Sequence, residues 1–384
     1  MNRKICVVTG SRADYGLLRS VIQAIKDDPN LDIQVVATGM HLSPTFGLTY
    51  KEIEADGFFI DEKVEVLNEF DTPYEISQSI AKGITGCAKV FSKLEPDLVL
   101  LLGDRFEIFS AAIAAYVALI PIAHIHGGEL TGGALDEAFR HSISKMSSLH
   151  FVAAEEYKKR LIQLGENPKN IYLAGGLGVE SIKRHKLLNK QELENELNIK
   201  FLDKSLLITF HPVTLDIESS ELQFRELLEA LSNFKDTTLI FTMPNADNGG
   251  RKLIKMVEEF VIENKNAKAF ISLGQILYFS CISNMDGVVG NSSSGIIEVP
   301  SFKKATINIG DRQLGRLQAE SIINCKPLKT DILNAIEKLY SPSFKILLDR
   351  VTNPYSETGV NEKIIEVLGT ISLDGIIKKA FHDL

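Results

Sequence analysis

The segment Gly290–Glu298 combines residue types that could bind a nucleotide. It reads Gly-Asn-Ser-Ser-Ser-Gly-Ile-Ile-Glu and follows the apolar run Gly287–Val289, which predicts a short buried strand. A turn of small residues before a helix lets a phosphate reach free backbone N–H groups, and the three hydroxyls add donors. Glu298, about one helical turn into the predicted helix, could accept both hydroxyls of a ribose. The alternative is a serine-rich N-cap on an ordinary helix.

Charged residues follow two apolar runs in the first part of the chain. Arg12 and Asp14 come after the first run, where a guanidinium could bind a phosphate through two N–H groups. Asp104 comes after Leu98–Leu102, where a low dielectric would raise the carboxyl pKa and suit proton transfer. The structural alternative is helix capping by Asp14 or Asp104, with Arg12 paired to Asp14.

A glycine-rich loop follows the apolar run Ile120–Ile125 and carries His126, Glu129 and Asp136. His124 and His126 have the spacing of two metal ligands, and alternate residues of a strand point to the same face. No third ligand is suitably spaced, however, so we expect no metal. The loop instead predicts acid–base groups in an active site.

Polar residues also follow strand-like runs in the second half of the chain. A plain turn is the structural alternative for the Asn/Asp/Gly run, and a satisfied buried histidine is the alternative for the histidine. Because such groups recur at one strand end after another, a binding site is the better interpretation. The residues are His211, Asn245, Asp247, Arg312 and Arg316.

Short apolar runs alternate with helical patterns along the whole chain, which predicts an α/β protein with two Rossmann-like, doubly wound parallel sheets. The pattern breaks near Gly175–Gly178. We therefore predict an N-terminal domain over residues 1–176, a C-terminal domain over 177–365, and a helix within 366–384 that packs back on the first domain. Open α/β sheets bind ligands at the carboxyl ends of their strands, so the active site is expected in the interdomain cleft.

Composition narrows the class of protein. The chain has 384 residues and a net charge of −8, which favours two domains and argues against nucleic acid as a partner. Four cysteines without a paired spacing indicate free thiols. Ile108–Ile125 lacks charged residues but contains a proline and a histidine, so it predicts a buried helix and strand. We expect a cytoplasmic protein with no signal peptide and no membrane partner.

Taken together, the motifs resemble the UDP-N-acetylglucosamine 2-epimerase family in its hydrolysing, sialic-acid-pathway branch. The segments that carry the resemblance are Ser11–Gly16, Gly103–Glu107, His124–Glu129, Arg140–Met146, Pro244–Asp247, Gly290–Glu298 and Gly310–Arg316.

The resemblance implies a glycosyltransferase-B-like architecture, no metal and no redox cofactor, and a homodimer or homotetramer. It implies that the nucleotide lies mainly on the second domain. The catalytic residues that it implies are Asp104, Glu129, His126, Asp136 and His211. The implied nucleotide-sugar-binding residues are Arg12, Asp14, Asn245, Asp247, Asn291, Ser292, Ser293, Ser294, Gly295, Glu298, Arg312 and Arg316. Many relatives have glutamate where this chain has His126, so either His126 or Glu129 is the base that acts at C2.

The implied reaction removes the C2 proton of UDP-N-acetylglucosamine and expels UDP from C1. Water then adds at C1 and a proton returns to C2 on the opposite face, which releases N-acetylmannosamine. Three alternatives to this function stay open at this point: a glycosyltransferase of similar fold, a non-hydrolysing epimerase that returns the nucleotide sugar, and a sugar-nucleotide sensor without activity. In addition, the sugar could be the 2,4-diacetamido-2,4,6-trideoxy analogue of legionaminic-acid routes, and the nucleotide could be GDP.

Overall fold

The computed structural model describes residues 2–69, 72–132, 134–213, 217–244 and 250–384, and these residues form two α/β units. Packing contacts assign Met1–Glu129, Asp136–Ser181 and Glu357–Leu384 to the first unit. The second unit contains Leu130–Leu135 and Ile182–Ser356. The prediction of separate domains over 1–176 and 177–365 stays a prediction, although the contact division after Ser181 is near its boundary.

The first unit is built on a seven-stranded parallel sheet in the order β3-β2-β1-β4-β5-β6-β7. Its strands are β1 Arg3–Thr9, β2 Leu31–Thr38, β3 Glu62–Val64, β4 Leu98–Leu102, β5 Ile122–Ile125, β6 Leu149–Val152 and β7 Ile171–Leu173. The helices of this unit are α1 Arg12–Asp27, α2 Tyr50–Ala55, α3 Pro73–Leu94, α4 Phe106–Val117, α5 Leu135–Met146, α6 Glu155–Gln163, α7 Leu177–Arg184 and α15 Val360–Thr370, with α5 and α7 extending past the contact boundary. All five residues of β4 are buried, as a strand covered by helices on both faces requires.

The second unit has a six-stranded parallel sheet in the order β10-β9-β8-β11-β12-β13. Its strands are β8 Lys204–Thr209, β9 Thr237–Thr242, β10 Ala267–Phe270, β11 Gly287–Gly290, β12 Ala305–Ile309 and β13 Ile322–Cys325. Its helices are α8 Lys190–Leu197, α9 Ile217–Leu231, α10 Gly250–Glu263, α11 Gly274–Asn284, α12 Ser293–Ile297, α13 Lys329–Tyr340 and α14 Pro342–Leu348. The two parallel sheets confirm the predicted α/β, doubly wound fold class.

The uncharged stretch Ile108–Ile125 folds as predicted. It forms most of α4 and all of β5, and the side chains of Ile108 and Ile122 lie in an apolar core between helices and sheet. Among the described residues, no helix has both the length and the apolar character needed to cross a membrane.

The spacing of His124 and His126 would put both side chains on one face only if the strand continued through His126. The strand ends at Ile125, as its apolar run predicts. His126 has a φ of +64°, in the left-handed region that residues with a side chain seldom adopt. This turn sends the two imidazoles to different surroundings, so the spacing gives no pair of metal ligands.

Candidate functional site

Each sheet contains one point where the direction of strand connection reverses, and open α/β sheets bind ligands there. In the first unit this point lies between β1 and β4, which are followed by Arg12 and Asp104 respectively. In the second unit it lies between β8 and β11, which are followed by His211 and Asn291. The predicted site residues therefore include the ends of all four strands that flank the two reversal points.

Asp104 does not cap a helix. Helix α4 begins at Phe106, and its N-cap is Arg105, whose side chain makes no capping hydrogen bond. The carboxylate of Asp104 instead pairs with the guanidinium of Arg140 on α5. The side chain of Arg140 is 4% exposed and that of Asp104 is 18% exposed, so Asp104 is the member of the pair that a ligand can reach. The capping alternative for Asp104 is thereby removed.

Glu129 and His126 form a buried pair behind Asp104. The Nδ1 atom of His126 lies 3.2 Å from Oε1 of Glu129, and Arg140 lies 3.7 Å from Oε2. The backbone N–H of Leu177 donates a long hydrogen bond of 3.5 Å to His126 Nε2. A ring nitrogen that accepts leaves the proton on the other nitrogen, so in the neutral ring the hydrogen lies on Nδ1, the nitrogen that faces Glu129. Arg140 also donates to the carbonyl oxygen of His126 at 2.9 Å, which ties the loop, α5 and Asp104 into one cluster.

The other acid–base candidate of this loop, Asp136, lies in the first turn of α5 and is partly exposed. A carboxylate at that position is favoured by the helix dipole. Asp136 and Arg140 are one helical turn apart, so α5 carries both a solvent-accessible carboxylate and the cation of the buried cluster.

Ser11, rather than Asp14, is the N-cap of α1, since its side chain accepts a hydrogen bond from the backbone N–H of Asp14. This corrects the alternative in which Asp14 caps the helix. Arg12 is the first residue of α1 and is partly exposed. Burial, opposed by the charge of Arg105 and assisted by that of Glu107, raises the pKa of Asp14 to about 7.

A carboxyl group with a raised pKa makes stability depend on pH. The folded-state pKa of Asp14, about 7, exceeds the unfolded value, so the native state holds the proton more tightly. Its ionisation therefore costs stability as pH rises from the unfolded pKa through 7. We expect the Tm of Asp14→Asn minus the wild-type Tm to become more positive between pH 5 and pH 8, measured by calorimetry. Asp27→Asn, at the exposed end of α1, is the control. A Tm difference that is equal at both pH values would contradict this assignment.

Asn291 joins the ends of β8 and β11 in the second unit. Its Oδ1 accepts from the backbone N–H of His211 at 2.7 Å, and its Nδ2 donates to the carbonyl of His211 at 2.8 Å. The carbonyl of Asn291 accepts from Gln313 at 2.8 Å and from Arg312 at 3.2 Å. With both ends of its amide and its carbonyl engaged, Asn291 fixes the shape of the site.

The serine segment Ser292–Ser294 follows Asn291 directly in the chain. Ser292 is the N-cap of α12, and its hydroxyl accepts from the backbone N–H of Ser294. The sequence predicted that Glu298 lies inside a longer helix, and this prediction is wrong. Helix α12 has only five residues, and Glu298 is its C-cap. The hydroxyl of Tyr278 donates to Ser294 Oγ at 2.9 Å, and burial raises the tyrosine pKa to about 12. Gly295 packs against Thr306 of β12, where a Cβ would lie 2.7 Å from a methyl group.

Three further residues were predicted in the second unit's site: Arg316, Asn245 and Asp247. Arg316 is buried and donates from Nε to the carbonyl of Leu130 at 2.6 Å and from Nη2 to Thr131 at 3.3 Å, so it holds the segment Leu130–Leu135 in the second unit. Asn245 and Asp247 lie outside the described residues. The nucleotide-binding roles of all these residues stay predictions.

The predicted site residues do not include Arg140, Gln313 or Tyr278. Arg140 lies in the segment Arg140–Met146, but only its contact with Asp104 shows its place. Gln313 lies in the segment Gly310–Arg316, and its position next to Arg312 was the available signal. Tyr278 gave no signal, because an aromatic residue in an apolar helix predicts only packing. Within the described ranges, no three His, Cys, Asp or Glu side chains are grouped so as to hold a metal ion.

Comparisons with known proteins show which sequences this chain is similar to. The sequence model of a family described as UDP-N-acetylglucosamine 2-epimerase matches residues 23–369. The chain is 44% identical to a GDP/UDP-N,N'-diacetylbacillosamine 2-epimerase (hydrolyzing) of Campylobacter jejuni, over 100% of this chain and 99% of that one. It is 42% identical to the polysialic acid biosynthesis protein P7 of Escherichia coli, over 92% and 90% of the two chains.

Solved structures show the same architecture. A UDP-GlcNAc 2-epimerase of Neisseria meningitidis bound to UDP-GlcNAc superposes with a TM-score of 0.80 over 95% of this chain and 99% of that chain, at 18% identity. The likeness places the two parallel sheets in the glycosyltransferase-B-like fold. With the family model covering most of the chain and relatives above 40% identity, this protein belongs to the UDP-N-acetylglucosamine 2-epimerase family.

Proposed function

We propose that this protein is a hydrolysing 2-epimerase that converts a nucleotide-linked 2-acetamido sugar into the free sugar epimerised at C2 and a nucleoside diphosphate. The observation that carries the proposal is the partly exposed carboxylate of Asp104, held by Arg140 at the strand reversal point of the first unit. Such a carboxylate is suited to move a proton at a sugar carbon.

The proposed reaction balances as an elimination followed by a hydration. A carboxylate removes the C2 proton, the C2–H electrons form a C1–C2 double bond, and the C1–O bond breaks to release the nucleoside diphosphate. Water then adds its oxygen to C1, and C2 receives a proton on the opposite face. A positive charge and hydrogen-bond donors stabilise the leaving diphosphate, and we assign Arg12 to the first role and Ser292, Ser293 and Ser294 to the second.

The acid–base groups of the cluster differ in exposure, and this difference supports different roles for them. We assign Asp104 and Asp136, which are partly exposed, to proton transfer with the sugar. Glu129 is 1% exposed and His126 is 6% exposed, and Oε1 of Glu129 lies 3.2 Å from Nδ1 of His126. We therefore propose that this pair orients Arg140 and the loop. In this proposal neither His126 nor Glu129 is the base that acts at C2. His211 keeps its proposed functional role beside Asn291.

For the sugar, we propose the UDP-linked 2,4-diacetamido-2,4,6-trideoxy form. The supporting observation is the full-length match, at 44% identity, to the Campylobacter jejuni protein whose name gives this substrate. The second candidate is UDP-N-acetylglucosamine in a sialic-acid route, which the 42% match to the polysialic acid protein favours. Since the first relative's name gives both GDP and UDP, the nucleotide is part of the test.

The test is a panel of nucleotide sugars: UDP-N-acetylglucosamine, the UDP-linked 2,4-diacetamido-2,4,6-trideoxyglucose, and its GDP counterpart. We expect fastest release of UDP with the second compound, together with a free manno-configured sugar identified by NMR. In D₂O the sugar should gain deuterium at C2, and in ¹⁸O-water the label should enter C1 and not UDP. An epimerised sugar still bound to UDP, or turnover that needs an acceptor, would replace this proposal with a non-hydrolysing epimerase or a glycosyltransferase.

A further inference from the structure

His124 is a buried histidine of β5 that the proposed reaction does not use. Its side chain is fully buried, and both ring nitrogens have partners. Nε2 lies 2.7 Å from the carbonyl oxygen of Gly103, and Nδ1 lies 3.1 Å from the hydroxyl of Ser144. A carbonyl oxygen can only accept, so Nε2 carries the hydrogen and Nδ1 accepts from Ser144. Burial lowers the pKa of His124 to about 3, so the ring is neutral near pH 7.

The partner of His124 Nε2 is the residue directly before Asp104. Gly103 has a φ of +80°, and its N–H donates to the carbonyl of Ile125 at 3.1 Å. Both polar groups of Gly103 are thus bonded to β5, one to the backbone and one to the His124 ring. Because the Gly103 carbonyl belongs to the peptide plane that continues into Asp104, these bonds fix where the Asp104 side chain leaves the backbone.

Ser144 connects the same histidine to α5. It lies one helical turn after Arg140, whose guanidinium pairs with the Asp104 carboxylate. His124 therefore holds the peptide that leads into Asp104, and Arg140 holds the Asp104 carboxylate. The hydrogen bond from Ser144 connects His124 to α5, the helix that carries Arg140. A neutral ring at this place donates a hydrogen bond without adding a second positive charge that would compete for the carboxylate.

We infer that His124 is a positioning residue for Asp104, which it orients through the Gly103 carbonyl. The inference rests on the proposed function, in which Asp104 transfers a proton with the sugar. Proton transfer depends steeply on geometry, and a displacement of about 1 Å can cost about 100-fold in rate.

The matched control is His150. It pairs with His124 in the register of β5 and β6, it is equally buried, and its Nε2 bonds to Glu166 at 3.0 Å rather than to the Asp104 loop. Leucine and glutamine are compared at each position: glutamine keeps an N–H donor near Nε2, whereas leucine fills the space without a donor. Ser144→Ala is a milder variant that removes only the donor to Nδ1.

We expect His124→Leu to lower kcat by about 30–100-fold with KM changed less than about 3-fold. His124→Gln should recover most of that loss, and Ser144→Ala should lower kcat by about 3–10-fold. The isotope effect on kcat with substrate deuterated at C2 should rise in His124→Leu, because proton transfer becomes slower, and stay at its wild-type value in His150→Leu. An inactive fraction of misfolded enzyme would leave this isotope effect unchanged.

If His124→Leu and His150→Leu lower kcat equally, His124 has only a packing role. The same conclusion follows if His124→Leu is as active as His124→Gln. A second readout does not need activity: amide hydrogen exchange of residues 103–106 should quicken in His124→Leu and not in His150→Leu. A wild-type enzyme that is inactive on the whole panel would overturn the proposed function. Unchanged exchange of residues 103–106 would overturn the positioning inference by itself.

Discussion

Asp104→Asn should lower kcat by about 10²–10⁴-fold, the range that general acid–base groups contribute. Asparagine keeps the size and hydrogen-bonding capacity of the side chain but cannot take up a proton. Arg140 retains its bond to the carbonyl of His126 and its approach to Glu129, so the fold should persist. The measurement is the rate of UDP release at saturating substrate, with UDP affinity determined by calorimetry and expected to stay within about 3-fold.

Glu137→Gln is the matched control for this substitution. Glu137 lies on α5, bonds to His141 at 3.1 Å and has no role in the proposed reaction, so kcat should be nearly unchanged. If Asp104→Asn keeps more than a tenth of the wild-type kcat, Asp104 does not carry the rate-limiting proton. If Glu129→Gln or His126→Ala lowers kcat more than Asp104→Asn does, the base that acts at C2 belongs to the buried pair of His126 and Glu129.

Gly290→Ala should destabilise the second unit by at least about 3 kcal/mol, since backbone strain and a steric clash act together. Gly290 ends β11 with a φ of +143°, and a Cβ there would lie 2.0 Å from the carbonyl oxygen of Thr209 on β8. That oxygen accepts from the backbone N–H of Asn291, so a shift would also disturb the residue that joins the two strands. A loss of this size lowers the Tm of the unfolding transition by roughly 6–12 °C.

Gly274→Ala separates strain from clash. Gly274 also has a positive φ, of +63°, but a Cβ at that position meets nothing within 4 Å. It should therefore cost only the dihedral penalty of about 1–2 kcal/mol. Equal Tm values for the two variants by calorimetry would mean that β8 and β11 can separate without cost, and that the close approach at Gly290 is not needed for the site.

The strands of both sheets were largely predictable from sequence because a buried parallel strand is an apolar run. The runs that become β1, β4 and β8 carry this signal without interruption. The edge strand β3 was missed because it consists of Glu62, Lys63 and Val64, and only the valine is buried. An edge strand covered on one side needs few apolar residues. The other edge strand missed, β13, is only partly buried and reads Ile-Ile-Asn-Cys.

The site was predictable as far as it depends on strand ends. The apolar run before Asp104 shows that Asp104 follows a strand. Its pairing with Arg140 depends on how α5, a later element of the chain, packs beside that strand. The turn at His126 was hidden for a related reason. A histidine in the left-handed region has no local sequence signature, and the loop is held there by Glu129, Arg140 and the backbone of Leu177. Sequence patterns record periodicity along one segment, whereas these contacts join segments far apart in the chain.

Helix α15 has a consequence for how the protein is made. Its residues Val360, Ile364 and Leu368 lie in the same apolar core as β1 and α1, and Arg3 Nη2 donates to the carbonyl of Ile371 at 2.8 Å. A ribosome releases residues 182–356 before it releases this helix. The first unit therefore cannot complete its core until Glu357–Leu384 has been made, while the second unit has its entire sequence available earlier.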